Sequence, residues 1–367
     1  MRATRSIIFV TRVNLCMKNS KRPCKQYNLH RGDCLSYLKT LTSNSIDSIV
    51  TDPPGGLSFM GIDWDSDRGG RDRWIKWLTK RLTEAYRVLK PGGHLVMWTY
   101  PRTSHWTRIA LDDSKFQFVH NLIHVFGTGK SHGKIIKTTD SPKFNGFSTT
   151  LKTSYEEWVL VRKPSEGTVA NNLRKWKVGA LNVEACAVEG APGQPSRFPG
   201  TLVHDGSVEA LQIFPDAPGQ LARLRGDGAP MMNHVYGKMN HGTVAKPPRV
   251  DTDPSSARFF YCTKASRSDK NDGLPDGETN CHATVKSIAL MRWLCRLVTP
   301  PGGIVLDMFM GSGSTGVAAM LEGFRFLGCE LSADYFSTAK KRITHAWSSR
   351  MRLTRQSLFN SLKTTQG

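Results

Sequence analysis

TDPPGGLSFMG, residues 51–61, directly follows the apolar run IDSIV at residues 46–50. The run predicts a buried strand, and Pro53 and Pro54 end it because proline can neither donate to a strand ladder nor continue into a helix. Asp52 is therefore expected at the carboxyl end of a strand. Open α/β sheets bind ligands in the crevice outside those ends, which favours a chemical role for Asp52. An ordinary Asp-Pro turn fits the tripeptide alone equally well.

A second stretch, IVLDMFMGSGSTGVAA at residues 304–319, predicts an apolar strand, a glycine-rich turn and a helix of small residues. Glu330 ends the next apolar run, FRFLGCE. Glycines let backbone N–H groups approach a ligand at a helix N-terminus, and an acid about 20 residues further on can bind ribose hydroxyls. The pattern indicates the nucleoside-binding half of a Rossmann-like sheet. Gly311, Gly313 and Gly316 also satisfy GxGxxG, which would equally suit a nicotinamide cofactor.

Together the two stretches resemble the β class of DNA amino-methyltransferases, in which an Asp-Pro-Pro-aromatic motif precedes an Asp-x-Phe-x-Gly-Ser-Gly-Ser/Thr motif. The resemblance covers residues 27–347 and includes these further segments: GDCLSYL at Gly32, LKPGGHLVMW at Leu89, LKTSYEEWVLVRKP at Leu151, RFPGTLVHDGS at Arg197, ARFFYCTKAS at Ala257 and HATVKSIALMRWL at His282. It implies a Rossmann-like α/β fold that uses S-adenosylmethionine and is circularly permuted, with the catalytic half first. It also implies an irregular target-recognition insertion.

The resemblance assigns roles to individual residues. Asp52 and the backbone carbonyl of Pro53 would hold the target amine, with Pro54 and Gly55 completing the motif. The implied cofactor residues are Asp33 at the adenine, Glu330 at the ribose, Lys286 or Thr315 at the methionine end, and Asp307, Phe309, Gly311, Ser312 and Gly313 in the glycine-rich loop. Three alternatives without a ligand stay open: Asp33 as a helix N-cap, Glu330 as a surface acid and Lys286 as a solvated surface residue.

The chain departs from the family pattern at Gly55, where the family has an aromatic residue that stacks on the target base. Base–aromatic stacking is worth roughly 1–3 kcal/mol, so its loss would slow turnover roughly 10- to 100-fold. Phe59 or Trp64 is a candidate substitute. The other departures replace residues that are usually proline: Ala283, Ser287 and Met308.

Composition favours a nucleic-acid partner. The 367 residues include 51 Lys and Arg against 30 acids, a formal net charge of +21, and such a surface attracts polyanions. Double-stranded DNA is the expected partner, while a homodimer stays open. No apolar run reaches the length of a membrane helix, so no membrane contact is expected. The eight cysteines form no C-x-x-C pair and the histidines no metal-spaced cluster, which favours a cytoplasmic protein without a metal site.

Composition and periodicity divide the chain into five segments. We predict a basic arm at residues 1–26, the catalytic half of the α/β domain at 27–164, and an irregular insertion at 165–256. The cofactor-binding half follows at 257–347, and a basic tail occupies 348–367. The alternation of strands and helices predicts a mainly parallel sheet with helices on both faces.

Three functions fit these observations. The leading hypothesis is a sequence-specific DNA methyltransferase that serves restriction-modification or phage DNA protection. It would act on adenine N6, because an aspartate precedes the prolines, with cytosine N4 left open. The second hypothesis is a member of the same family that binds DNA and cofactor but is catalytically impaired by Gly55. The third is a nicotinamide-dependent oxidoreductase.

Overall fold

A computed structural model describes residues 26–58, 61–127, 134–138, 140–190, 196–216, 231–233, 237–239, 255–263 and 267–364. Its strands are β1 (Tyr27–Arg31), β2 (Ile46–Thr51), β3 (Leu89–Thr99), β4 (Gln117–Val125), β5 (Tyr155–Arg162), β6 (Leu202–His204), β7 (Met231–Asn233), β8 (Gly237–Met239), β9 (Tyr261–Cys262), β10 (Ile304–Asp307) and β11 (Arg325–Glu330). Its α-helices are α1 (Cys34–Thr40), α2 (Arg71–Val88), α3 (Ser104–Asp113), α4 (Val169–Trp176), α5 (Val208–Leu211), α6 (Ile288–Val298), α7 (Ser314–Glu322) and α8 (Ala333–Thr364).

The chain divides into two compact units. The first comprises residues 1–124, 155–186 and 263–367, and the second comprises 125–154 and 187–262. These bounds differ from the predicted segments, since residues 125–154 of the predicted catalytic half belong to the second unit and residues 165–186 of the predicted insertion belong to the first. The buried side chain of Asn172 in α4 donates there to the carbonyl of Pro91, at 2.9 Å.

The first unit is built on a sheet with the strand order β1-β11-β10-β2-β3-β5-β4. Neighbouring strands from β1 to β3 are parallel, whereas β3 and β5 are antiparallel. The prediction of a mainly parallel α/β sheet is therefore confirmed. Parallel strands end at one edge of a sheet, so the residues that follow β1, β2, β3, β10 and β11 meet there.

Helices cover both faces of this sheet. Ile49 of β2 packs in one apolar cluster with residues of α1, α2 and α3, which include Leu38, Leu78 and Leu111. The preceding residue, Ser48, points to the opposite face because successive strand residues alternate. There its hydroxyl lies 2.7 Å from that of Thr299, which directly follows α6. The motif-bearing strands are thus held between two helical layers.

Helix α2 ends at Val88, shortly before Pro91, because the residue before a proline is disfavoured in helical conformation. Residues 89–99 form one strand, and its register with β2 shifts where Pro91, Gly92 and Gly93 lie. The last helix, α8, continues to Thr364, so the described part of the predicted basic tail, residues 348–364, is helical.

Among its described residues, the second unit has short strand pairings. β6 and β9 are parallel, β7 and β8 are antiparallel, and isolated bridges join Ile135 to Ser148 and Val188 to Arg197. This agrees with the fading periodicity of the sequence there. The predicted basic arm lies outside the described residues, apart from Gln26. Within the described part, no helix combines the length and apolarity needed to cross a membrane.

Candidate active site

The two sequence motifs meet at the carboxyl edge of the sheet. β2 and β10 are adjacent, and the hydroxyl of Thr51, at the end of β2, donates to Asp307 Oδ1 at 2.7 Å across 256 residues of chain. Asp52 follows Thr51 directly, and the glycine-rich turn follows Asp307. The Asp-Pro-Pro segment and the predicted cofactor loop therefore begin side by side at this edge.

Asp52 is paired with a buried lysine. Lys286 Nζ lies 3.2 Å from Asp52 Oδ2 and 3.3 Å from Glu156 Oε1, and only 8% of the lysine side chain is exposed. Its ammonium also lies 4.1 Å from the centre of the Trp98 ring. The alternative interpretation of Lys286 as a solvated surface residue was therefore wrong. Sequence could not reveal this, because a lysine beside a helix start normally faces water.

Gly55 is held at both of its backbone polar groups. Its N–H donates to Asp65 Oδ1 at 2.5 Å, and its carbonyl accepts from the Thr103 hydroxyl at 2.7 Å. Asp65 is buried, and the sequence analysis missed it. Asp65 is one of three aspartates in the segment GIDWDSDRGG, residues 61–70, which looks like an ordinary turn, so the only available signal was its place shortly after the two prolines.

Aromatic rings lie beside Gly55 although the motif itself lacks one. A Cβ built on Gly55 would lie 3.5 Å from Tyr100 Cβ and 3.7 Å from Trp98 Cζ3, which is ordinary contact. Trp98 lies at the end of β3 and Tyr100 directly follows the strand, and the centroids of their rings are 6.0 Å apart. Of the predicted substitutes, Phe59 lies outside the described residues, and Trp64 stacks on His282 with a centroid distance of 6.0 Å.

Gly55 and Gly56 differ in the space available for a Cβ atom, which allows a test. We expect Gly55→Ala to fold normally, since its Cβ meets only ordinary contacts. Gly56 has φ +72°, and its Cβ would lie 2.7 Å from the indole nitrogen of buried Trp74. Gly56→Ala should therefore lower the free energy of unfolding by about 1–3 kcal/mol. Thermal melts of both variants check this, and equal melting temperatures would contradict the described loop.

The cofactor loop after β10 is fixed by long-range contacts. Gly311 has φ +52°, and its N–H donates to Glu330 Oε2 at 2.7 Å, while Glu330 Oε1 accepts from the Ser332 N–H at 2.8 Å. The carbonyl of Ser312 accepts from buried Arg342 of α8 at 2.6 Å. Glu330 therefore anchors the loop and is not a mere surface acid. Arg342 was missed, because an arginine in an amphipathic helix reads as solvated.

Close packing explains the other glycines of the motif. Gly313 has φ +88°, and a Cβ on it would lie 2.9 Å from Ala339 Cβ. A Cβ on Gly316 would clash with Ile343 Cδ1. Both contacts bring α7 against α8, so these glycines allow the helices to approach. Helix packing therefore accounts for Gly313 and Gly316 of the GxGxxG pattern, in addition to any contact with a ligand.

Burial raises the pKa of Asp307 to about 7, although hydrogen bonds from Thr315, Thr51 and the Phe309 N–H oppose the rise. Burial also raises the pKa of Glu330, against hydrogen bonds from backbone N–H groups. His282 is shifted the other way: burial, followed by the charge of Lys286, lowers its pKa to about 4. His282 is therefore neutral near pH 7.

The raised pKa of Asp307 predicts a pH dependence of stability. Between its ordinary value of 3.8 and about 7, the folded state binds more protons than the unfolded state, so this group's contribution to stability is lost as pH rises. Asp307→Asn should flatten that part of the profile. Denaturant unfolding at pH 5, 6, 7 and 8 measures the slope, with the exposed Asp112→Asn as matched control. An unchanged slope in Asp307→Asn would contradict a buried, proton-binding carboxyl.

Asp33 serves as the N-cap of α1, as the alternative interpretation proposed. Its Oδ1 accepts from the Ser36 N–H at 3.1 Å, and its Oδ2 pairs with Arg81 at 2.7 Å. Arg81 also lies 4.3 Å from the centre of the Trp77 ring, which neighbours Phe309 at 5.8 Å. Burial alone would raise the pKa of Asp33, but the bonds from Ser36 and Arg81 lower it. A contact with adenine stays a prediction.

Two of the three departures from the family pattern have structural roles. Ser287 is the N-cap of α6, and its hydroxyl accepts from the Leu290 N–H at 3.4 Å. Met308 is buried in the apolar cluster beneath the cofactor loop. Nothing in the structure explains Ala283. Ser287 and Met308 are therefore accommodated at positions where the family usually has proline.

Comparison with known proteins points to one family. Residues 46–341 match the sequence profile described as DNA methylase, N6_N4_Mtase. Type II methyltransferase M.BglI of Bacillus subtilis is 24% identical over 347 residues, which is 90% of each chain. DNA adenine methyltransferase YhdJ of Escherichia coli K12 is 26% identical over 314 residues, 85% of this chain and 81% of YhdJ. Among solved structures, the cytosine-N4-specific PvuII DNA methyltransferase has 12% identity, a TM-score of 0.48, and coverage of 89% of this chain and 93% of that chain.

Proposed function

Because the chain belongs to the DNA methylase family whose members act on adenine N6 or cytosine N4, we propose that it methylates adenine N6 in duplex DNA. The methyl donor is S-adenosylmethionine. The observation that carries the proposal is the junction of Thr51 and Asp307, which brings Asp52 beside the glycine-rich loop. The family match does not favour the oxidoreductase or the impaired-member hypothesis.

Two observations support adenine over cytosine. An aspartate, Asp52, precedes the prolines, which is the tendency of adenine-specific members, and YhdJ is named as an adenine methyltransferase. The relative M.BglI is named as a Type II methyltransferase, which supports a place in restriction-modification. Cytosine N4 is the alternative target.

The residues of the cofactor loop fit S-adenosylmethionine. Gly311 and Gly313 hold the loop in left-handed backbone conformation, and Glu330 lies at its base. The indole N–H of Trp64 is buried without a hydrogen-bond partner among the described residues, and it stacks on His282 next to Gly311. A bound polar group would satisfy that donor.

We assign the predicted cofactor contacts as follows. Glu330 would bind the ribose hydroxyls and Asp33 the adenine, with Phe309 and Trp77 offering apolar surface to the ring. Asp307, Ser312 and Thr315 would shape the loop, since the Asp307 carboxyl accepts from Thr315 and Thr51. Lys286 would lie at the methionine end, beside Asp52.

When bound, the cofactor supplies an electrophilic methyl group on a sulfonium. The protein must prepare the target amine, whose lone pair is delocalised into the base. The Asp52 carboxylate and the Pro53 carbonyl would each accept one N–H of that amine and favour tetrahedral nitrogen. Orienting the amine in this way removes much of the entropic cost of attack.

The target base must leave the duplex stack, which costs a few kcal/mol. A side chain at position 55 would contact Trp98 and Tyr100. We therefore assign to Trp98 and Tyr100 the stacking on the target base that the family performs with an aromatic residue at position 55. Arg174 and Lys175 of α4 are exposed, and with the net charge of +21 they support contacts to DNA phosphates. The segment 165–256 stays our proposal for target recognition, and a homodimer stays a prediction.

One assay tests the proposal. The purified protein is incubated with radiolabelled S-adenosylmethionine and mixed-sequence duplex DNA, and the DNA is digested to nucleosides. We expect label in N6-methyladenosine. Label in N4-methylcytidine would overturn the adenine assignment, and cofactor binding without label in any DNA would overturn catalysis in favour of the impaired member.

A further inference from the structure

The lysine that pairs with Asp52 is shared with a second buried acid. Glu156, in β5, lies on the other side of the Lys286 ammonium, at 3.3 Å, and is itself buried. The three side chains come from three separate parts of the first unit: the loop after β2, strand β5 and the residue before the N-cap of α6. The Trp98 ring covers the ammonium at 4.1 Å. Glu156 was not among the predicted site residues.

The lysine in this cluster is charged. Burial by itself lowers the pKa of Lys286, but the charges and hydrogen bonds of Asp52 and Glu156 outweigh burial, so the pKa stays above its ordinary value. Other titratable groups nearby are His124, whose Nδ1 lies 3.7 Å from Glu156 Oε2, together with Asp307 and His282. With both acids ionised, the three-residue cluster carries one net negative charge.

This charge count matters for attack by an amine. The target nitrogen forms its bond to the methyl carbon as the sulfur–methyl bond breaks and the sulfur leaves as a neutral thioether. The nitrogen carries positive charge until it releases one proton, and a nearby negative group stabilises that charge. If Asp52 were paired with Lys286 alone, the pair would be neutral and stabilise it poorly. Glu156 draws on the same ammonium and leaves the cluster negative.

The lysine has the complementary effect. Without it, the carboxylates of partly buried Asp52 and buried Glu156, which lie 3.2 and 3.3 Å from the ammonium, would have no cation between them, and two like charges that share a site favour protonation of one carboxyl. A protonated Asp52 would carry no negative charge and could not stabilise the positive charge that develops on the target nitrogen. The ammonium therefore allows both acids to be ionised at neutral pH.

We propose that Lys286 and Glu156 are positioning residues for Asp52: Lys286 keeps its carboxylate ionised and oriented, and Glu156 keeps the cluster negative while the target amine gains charge. This inference rests on the proposed function, because it concerns the same reaction. It adds a residue to the site, Glu156, that acts through Lys286 and not on the cofactor.

The first experiment compares Glu156→Gln with Glu156→Asp and with Glu157→Gln. Glu157 is the next residue of β5 and contacts Arg108 and Thr99 instead, so it is a matched control. We expect Glu156→Gln to lower kcat about 10- to 100-fold, as loss of one buried charge implies, with KM for the cofactor within about threefold. Glu156→Asp should recover part of kcat, and Glu157→Gln should leave it unchanged. Equal kcat in Glu156→Gln and wild type would overturn the proposal.

The second experiment uses the pH profile and a double substitution. Lys286→Met should move the acid limb of kcat against pH upward, because one carboxyl is then protonated at neutral pH. Adding Glu156→Gln to Lys286→Met should move the limb back and raise activity at pH 7 above that of the single variant. A purely structural role predicts the opposite, since the second change would only add damage. Lys286→Arg, which retains the charge, should keep the wild-type limb.

The outcomes distinguish failure of the proposed methyltransferase function from failure of the positioning role alone. If wild type transfers no methyl group to DNA, the proposed function fails. If wild type is active but the limb stays fixed in Lys286→Met, or the double variant is no more active than the single one, only the positioning role fails. Cofactor binding and circular dichroism of each variant verify that the compared proteins are folded.

Discussion

Asp52→Ala is expected to abolish most methyl transfer, with kcat lowered about 10²- to 10³-fold, the usual effect of removing one preorganised polar group from a transition-state site. The variant loses the acceptor for the target amine and the negative charge nearest to it. Lys286 would keep Glu156 as its partner at 3.3 Å, so the fold and cofactor binding should survive. Single-turnover transfer of labelled methyl to duplex DNA measures the effect.

The matched control for this experiment is Asp63→Ala. Asp63 is an exposed acid in the short 3₁₀ turn Asp63–Asp65 and is not part of the site. We expect its kcat to remain within about twofold of wild type, as for most surface substitutions. Full activity in Asp52→Ala would remove Asp52 from the reaction and with it the proposed role of the Asp-Pro-Pro motif.

Glu330→Ala is expected to weaken binding of S-adenosylmethionine about 100-fold. Its two carboxylate oxygens accept from the N–H groups of Gly311 and Ser332, at 2.7 and 2.8 Å. Hydrogen bonds to charged groups are worth about 1.5–3 kcal/mol each, so loss of this anchor releases the glycine turn as well as the ribose contact. Calorimetric titration with the cofactor measures the change in Kd.

Asp334→Ala provides the comparison for that experiment, because Asp334 is an exposed acid in the first turn of α8. Its Kd should stay within about twofold of wild type. Glu330→Gln should lie between the two, since the amide oxygen can accept one of the two bonds. Wild-type affinity in Glu330→Ala would show that the loop is held by other contacts, with Arg342 on Ser312 as the next candidate.

Much of the local structure was predictable. The strand that leads into Asp52 and the strand–turn–helix of the cofactor motif were placed correctly. Each depends on apolar periodicity and on proline or glycine chemistry, which act over a few residues. The ends of helices such as Val88 and Thr364 are less predictable, because neighbouring signals compete there.

The surroundings of the site were not predictable to the same degree. Asp65 binding the Gly55 N–H, Arg342 binding the Ser312 carbonyl and Trp98 covering Lys286 all have partners distant in sequence. Each of these residues has an ordinary surface or core interpretation when only its sequence neighbours are known. Gly55 shows the difference most clearly, because the motif lacks an aromatic residue while the folded site has two beside it.

The succession of strands and helices, the acid at the end of β2 and the glycine turn after β10 follow from the preferences of adjacent residues, and they can be read from the chain before it folds. The burial of Lys286 between Asp52 and Glu156, 130 residues from the latter, arises only in the folded protein. That arrangement depends on which strands become neighbours in the sheet, and burial then fixes the charge of each group. Side-chain charge at this site is therefore a property of the assembled sheet edge and not of any segment of the chain.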